Sequence, residues 1–211
     1  MSAELMLEST EPSLLIIEER PRKDIVVGVP HHAPAGVPYL RCPQHRDADE
    51  NAGFLGRHLA EQLGCCSIIA CNYTIDANKY LRSDYTMQIA AWNPIVLIEM
   101  HGHGGSKTGH DVEISCGSSE YSALSEGFAN ELVRKLSDEA DLSDLLICGR
   151  FVDLHFQATG TLTISDARWT SYHIELSLRL RKPETGQTGK PSARAYRFCT
   201  HLAEVVRIKH G

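Results

Sequence analysis

Three observations make this chain an α/β layer protein. Two continuous apolar runs, "DIVVGVP" and "PIVLIEM", have the length and composition of central strands covered on both faces. Apolar runs alternate along the chain with stretches of helical periodicity, the pattern of helices packed on a sheet. No repeat, low-complexity segment or interdomain linker breaks that alternation. The 211 residues therefore read as a single domain, 1–211, large enough to bury a core without disulfides or metal.

Taken in order, strands are expected at 13–18, 24–29, 67–71, 95–100, 111–115, 146–152, 160–164 and 172–180. The first helix is expected over 49–63, where Ala52, Leu55, Leu59 and Leu63 fall on one stripe, and the second over 119–136. A third, over 191–209, opens with Pro and Ser as first-turn residues do and carries Val205, Val206 and Ile208. Before it lies "RKPETGQTGKPSAR", polar and rich in Gly and Pro, which reads as a mobile surface loop and not a domain boundary.

Composition narrows the function classes. Hydrophobic residues at 42% and charged residues at 23% are values of a globular protein, away from disordered and membrane classes. The net charge of -6, with Lys and Arg scattered, leaves no basic patch for nucleic acid or anionic lipid. The expected partner is a small-molecule or short-peptide substrate, with no nucleic acid and no membrane; association into a homo-oligomer stays open. No apolar run approaches the ~18 residues that span a bilayer, and the acidic N-terminal stretch lacks the apolar centre of a signal peptide, so a cytoplasmic location is expected. Seven cysteines, an odd number without a C-x-x-C pair, read as reduced and mostly buried thiols.

Ligands of open α/β sheets bind beyond the carboxyl ends of the strands. His31 and His32 follow "DIVVGVP", His101 and His103 follow "PIVLIEM", and "HRDADENAG" opens a helix with Asp47, Asp49 and Glu50. Two histidines and one carboxylate, with a fourth position left to water, are the ligand set of a catalytic zinc. Such a zinc lowers the pKa of its water to about 7 and polarises an amide carbonyl. A second carboxylate must then carry the proton from the water to the leaving amine. Each piece also has an ordinary role: His31 and His32 as turn residues, Asp47 with Glu50 as an acidic capping box. His101 stands directly after a strand and before glycines that let backbone approach closely. In "YHIELSLRLRK" the alternation of Ile174, Leu176, Leu178 and Leu180 gives one apolar face and leaves His173, Glu175 and Ser177 on the other. If that face looks into the crevice, Glu175 is the natural general base.

The order of these segments over 24–181 resembles the N-formylglutamate amidohydrolase-like family, relatives of the zinc carboxypeptidases and aspartoacylases. "VVGVPHHAPAG" implies a zinc ligand at His31, and "LIEMHGHGG" implies another at His101. "RDADENAGFLGRHLAEQLG" implies the carboxylate ligand, carried to Glu50 with Asp49 as the rival. "YTIDANKYLRSDY" implies substrate-binding roles for Asn78 and Lys79, with Arg82 or Arg41 assisting. "FQATGTLTISDA" followed by "YHIELSLRLR" implies the catalytic glutamate at Glu175.

Two departures bear on the substrate. Lys79 stands where relatives carry arginine, which exchanges a bidentate fork for a point charge. His103 stands where relatives carry a small polar residue; it is assigned to the substrate, with support of a ligand or competition for the metal as its other roles. The resemblance implies a three-layer α/β/α sandwich with a mostly parallel mixed sheet, zinc exopeptidase (phosphorylase/hydrolase)-like. It also implies a zinc-dependent amidohydrolase that uses one Zn2+ ion to cleave an amide bond in a small N-acyl amino acid or short peptide. The competing readings are a non-catalytic metal- or ligand-binding module of the same fold, and an unrelated α/β protein whose histidines are polar loop residues. Retention of Glu175 argues against the first.

Overall fold

The computed structural model describes residues 2–105, 107–183 and 189–211. The chain runs α1 (Ala3–Leu7), β1 (Leu14–Glu18), β2 (Arg22–Ala33), β3 (Asp49–Glu50), α2 (Ala52–Leu63), β4 (Cys65–Cys71), α3 (Asp84–Trp92) and β5 (Val96–His103). It continues with β6 (Val112–Ser115), α4 (Ser122–Leu136), β7 (Ile147–Cys148), β8 (Thr170–Ser177), α5 (Leu178–Arg181) and α6 (Ala193–His210). The strands form one mixed sheet in the order β1-β4-β2-β5-β8-β6-β7, with β3 paired to β2. Its centre is parallel, β4-β2-β5-β8, and the antiparallel pairs are β1 with β4 and β6 with β8.

The expected three layers are present. On one face α2, α4 and α6 pack Leu55, Leu59, Phe128, Leu132, Phe198 and Leu202 against Val27, Val29, Ile98 and Ile174. On the other, α3 packs Tyr85, Ile89 and Trp92 against Val26, Ile68 and Leu97. Burial of both faces explains why the central strands are apolar without alternation. Six of the seven cysteines are buried and all are unpaired, as expected of core thiols. No helix among the described residues is long and apolar enough to cross a membrane.

Several expected elements are corrected. Segment 146–152 pairs only at Ile147–Cys148 and then turns into a 3-10 helix, Phe151–Asp153, while 160–164 holds turns and no strand. The last strand stops at Ser177, and Leu178–Arg181 form a helical turn that carries Leu180 and Arg181 into the interior. Arg181, expected in a surface loop, is 2% exposed. The middle of that loop, 184–188, lies outside the described residues. Helix α2 begins only at Ala52, because Asp49 and Glu50 pair with β2 as a short strand.

Strand β2 contains the irregularity that shapes the functional end of the sheet. Val29 pairs with Ile69 but His32 pairs with Cys71, so three steps of β2 face two steps of β4. Such a bulge inverts the side-chain alternation beyond it. Before the bulge Val27 and Val29 face α2. After it, His32 faces α2 and His31 takes the opposite face. His32 donates from Nε2 to Leu7 O at 3.0 Å and accepts at Nδ1 from Gly53 N, also at 3.0 Å, in the first turn of α2. A Cβ at Gly53 would lie 2.6 Å from His32 Cγ, so the helix approaches this ring only because residue 53 is glycine.

Burial holds the His32 imidazole neutral and pushes its pKa down to about 4. The unfolded chain, with an ordinary value near 6.5, binds the proton first as pH falls. Stability from His32 is therefore complete above about pH 6.5, is lost below it by about 3 kcal/mol, and levels off near pH 4. Denaturant titrations across that range should show this slope in the wild type and its loss in His32→Gln; equal slopes would refute it.

Candidate metal centre and active-site pocket

Because β2, β5 and β8 are parallel, their carboxyl ends open at the same edge of the sheet. There they border a cavity of about 470 Å³ whose lining includes His31, Asp49, His101, His103, His173 and Glu175. The register sets this composition. Glu99 pairs with His173, His101 with Glu175 and His103 with Ser177, so alternate residues of two adjacent strands turn their polar side chains to one face. Ile98, Met100, Ile174 and Leu176, between them, enter the core on the other.

His31, Asp49 and His101 form one of three groups among the described residues whose donor atoms lie close enough to hold a metal ion. Asp49 Oδ2 is 3.5 Å from His31 Nδ1 and 3.3 Å from His101 Nδ1, and all three residues are buried. Ligands about 2.0–2.1 Å from a tetrahedral zinc lie about 3.3 Å from one another, so the spacing fits. His31 Nδ1 and Asp49 Oδ2 are buried without a hydrogen-bond partner. The far nitrogens are turned to carboxylates: His31 Nε2 lies 3.0 Å from Asp76 Oδ1, and His101 Nε2 makes a looser contact of 3.5 Å with Glu99 Oε2. That arrangement fixes ring orientation and raises the basicity of a metal-binding imidazole.

Electrostatics agree with a cation site. Burial opposes charge on His101, yet Asp49 and Glu99 outweigh it and raise its pKa to about 10. His31 is raised in the same way, against burial, by Asp49 and Asp76. Asp49 stays well below the usual carboxylate range, because the two histidines overcome its own desolvation. The cluster thus attracts positive charge despite being buried.

The structure brings Asp49, and not Glu50, between the two histidines. Glu50 is part of the cavity lining but belongs to none of the donor groups, and its Oε1 accepts from Gly36 N at 2.8 Å. Glu175 lies where the sequence placed it, facing the cavity. Its Oε1 is 3.5 Å from His173 Nε2, its Oε2 has no partner, and burial pushes its pKa up to about 7. Asn78 lines the cavity, donates from Nδ2 to Glu99 Oε2 at 3.1 Å and leaves Oδ1 unpartnered. Lys79 lies at the rim with Nζ 2.8 Å from Asp76 Oδ2. His103 forms part of the wall, accepting at Nδ1 from Gly105 N and stacking on Phe156 at 5.4 Å between centroids; it belongs to none of the donor groups. Arg82 and Arg41 are exposed and do not line the cavity.

Four residues at the site escaped the sequence reading as functional groups. Asp76 backs His31, and His173 faces Glu175. His45 stacks on His31 with centroids 3.7 Å apart and planes 14° apart. It is carried by loop 38–48, closed by Leu40 N→Arg46 O and Ala48 N→Pro38 O and anchored through buried Leu40 and Cys42. Arg181 donates to Leu176 O, Glu50 O and His103 O at 2.9, 2.7 and 3.0 Å. The nearest signal for His45 was its position opening "HRDADENAG"; an arginine after a Leu-rich alternation carries none.

Comparison with solved structures places the fold. N-formylglutamate amidohydrolase from Ralstonia eutropha JMP134 aligns with a TM-score of 0.57 at 11% identity, over 92% of this chain and 96% of that one. A bacteriophage poly-gamma-glutamate hydrolase aligns at 0.57 and 11%, over 99% and 95%. A gene product of Agrobacterium tumefaciens aligns at 0.56 and 10%, over 93% and 96%. No protein-family model and no curated protein matches the sequence. At these identities the likeness is one of fold, and it is the fold that the resemblance read from the sequence implied.

The geometry separates the two acidic neighbours experimentally. Chelator-treated protein reloaded with zinc should retain about one ion per chain in the wild type and in Glu50→Ala, and lose it in Asp49→Ala. Elemental analysis after desalting reads the outcome; retention by Asp49→Ala with loss in Glu50→Ala would restore Glu50 as the ligand.

Proposed function

We propose that this chain is a zinc-dependent hydrolase that cleaves an amide bond in a small N-acyl amino acid or short peptide. The observation that carries the reading is the convergence of His31 Nδ1, Asp49 Oδ2 and His101 Nδ1 beside a buried glutamate with a free oxygen. The fold shared with an amidohydrolase and a poly-gamma-glutamate hydrolase supports it.

His31, Asp49 and His101 would hold one zinc ion. A divalent ion there supplies a Lewis acid for the amide carbonyl and makes water acidic enough to attack near neutral pH. Glu175 supplies the proton traffic. With a pKa near 7 its carboxylate takes a proton from the attacking water and returns it to the leaving nitrogen, which matches both halves of the reaction to one group. Contact of Oε1 with His173 leaves Oε2 to face the water. Asn78 Oδ1 offers an acceptor to a substrate N–H, and Lys79 brings positive charge to the rim for a substrate carboxylate. His103 and Phe156 give the pocket a flat wall on which an acyl or side chain packs. A cavity of about 470 Å³ is of the size that holds a small ligand or the end of a peptide.

Zinc-loaded protein assayed against N-formyl, N-acetyl and N-succinyl amino acids and short peptides should turn over at least one class. Chelation should abolish the activity and zinc should restore it. Glu175→Gln should lower kcat by about 10²–10⁴-fold with zinc content unchanged. Unchanged turnover in that variant would remove Glu175 from the mechanism. A zinc-loaded wild type inert to the whole panel would favour the non-catalytic binding module.

A further inference from the structure

The buried guanidinium of Arg181 touches three elements of the site at once. Its Nε donates to Leu176 O, next to Glu175; its Nη1 to Glu50 O, next to Asp49; its Nη2 to His103 O, two residues beyond His101. The acceptors belong to β8, β3 and β5. The position of Arg181 is itself fixed: Asn51 Nδ2, at the entry to α2, donates to Arg181 O at 2.9 Å. Space for the fork exists because residue 102, between the two strand-end histidines, is glycine. A Cβ there would lie 2.2 Å from Arg181 Cζ and 2.3 Å from Nε. A planar cation with donors in a fixed fork suits three carbonyls at set angles, and a lysine ammonium does not.

We propose that Arg181 is a positioning residue whose guanidinium sets the carboxylate ligand Asp49, the ligand His101 and the base Glu175 in one common geometry, so that metal affinity and turnover both depend on it. This rests on the metal-hydrolase reading of the same site. Arg181 does not act on the substrate; it acts through the backbone beside each functional side chain. Gly102 is the other half of the device, since it gives up a side chain so that the guanidinium can lie against the strand. Displacements of about 1 Å in such frameworks are enough to cost catalysis about 100-fold.

The test is zinc titration of chelator-treated full-length protein, with kcat and KM measured on any substrate found for the wild type. Arg181→Met should fold, as judged by circular dichroism and a cooperative melt, yet bind zinc about 10–100-fold more weakly, the loss expected when groups supporting metal ligands are removed. Its kcat at saturating zinc should fall more than its KM changes, and Arg181→Lys should recover only part of either loss. A role confined to stability predicts a lowered melting temperature with unchanged zinc affinity, and that result overturns the inference. Should Arg181→Met fail to fold, Gly102→Ala carries the test: weakened zinc binding in the folded variant supports the inference, and wild-type affinity overturns it. A wild type that binds no zinc overturns the metal reading together with this one, whereas equal binding by wild type and Arg181→Met overturns this one alone.

Discussion

One extra residue in β2 decides which histidine reaches the cavity. With unbroken alternation His31 would follow Val27 and Val29 into the core beneath α2, and His32 would face the site. The bulge between Val29 and His32 exchanges them. His32 becomes a neutral ring bonded to Leu7 O and the first turn of α2, and His31 becomes a ring with Nδ1 open and Nε2 on Asp76. Everything at the functional edge is registered to this exchange. Strand β3 pairs with the bulged end, His32 with Asp49, and the Asp49 carboxylate lies 3.5 Å from His31 Nδ1.

The same pairing explains why Glu50 and Asp49 could not be separated in the sequence. A helix start was the expected setting, and there neighbours stand about 100° apart, not on opposite faces. Neighbours on a strand point to opposite faces. Paired with β2, the two side chains diverge: Asp49 meets His31 and His101, and Glu50 satisfies Gly36 N. A two-residue strand has no periodicity of its own to read, so only long-range contacts place Asp49 beside the two histidines.

Most of the architecture was legible where burial is dictated by length and pattern. The apolar runs around Val27 and Ile98 became the central strands, and the stripe of Leu55, Leu59 and Leu63 became the buried side of α2. Of the candidate site, what was legible is which strand-end residues reach the cavity, as at His31, His101 and Glu175. What stayed hidden was of two kinds. Helix α3 carries its apolar residues at Tyr85, Ile89 and Trp92, with Ser83 accepting from Thr86 N as its cap, signals short enough to pass as loop. Arg181 and His45 are polar residues whose burial depends on partners distant in the chain, Arg181 on carbonyls from three strands and His45 on the ring of His31. The alternation in "LSLRLR" suits a strand, whereas the chain turns after Ser177 and brings the Arg181 guanidinium to those carbonyls.

Lys79, Asp76 and His31 form an unbroken line of contacts, 2.8 Å and then 3.0 Å, from the rim to the buried donor group. Asp76 is buried, but the Lys79 side chain is 43% exposed. A charge that dissolved ions screen and chemical modification can erase thus stands two contacts away from a buried imidazole.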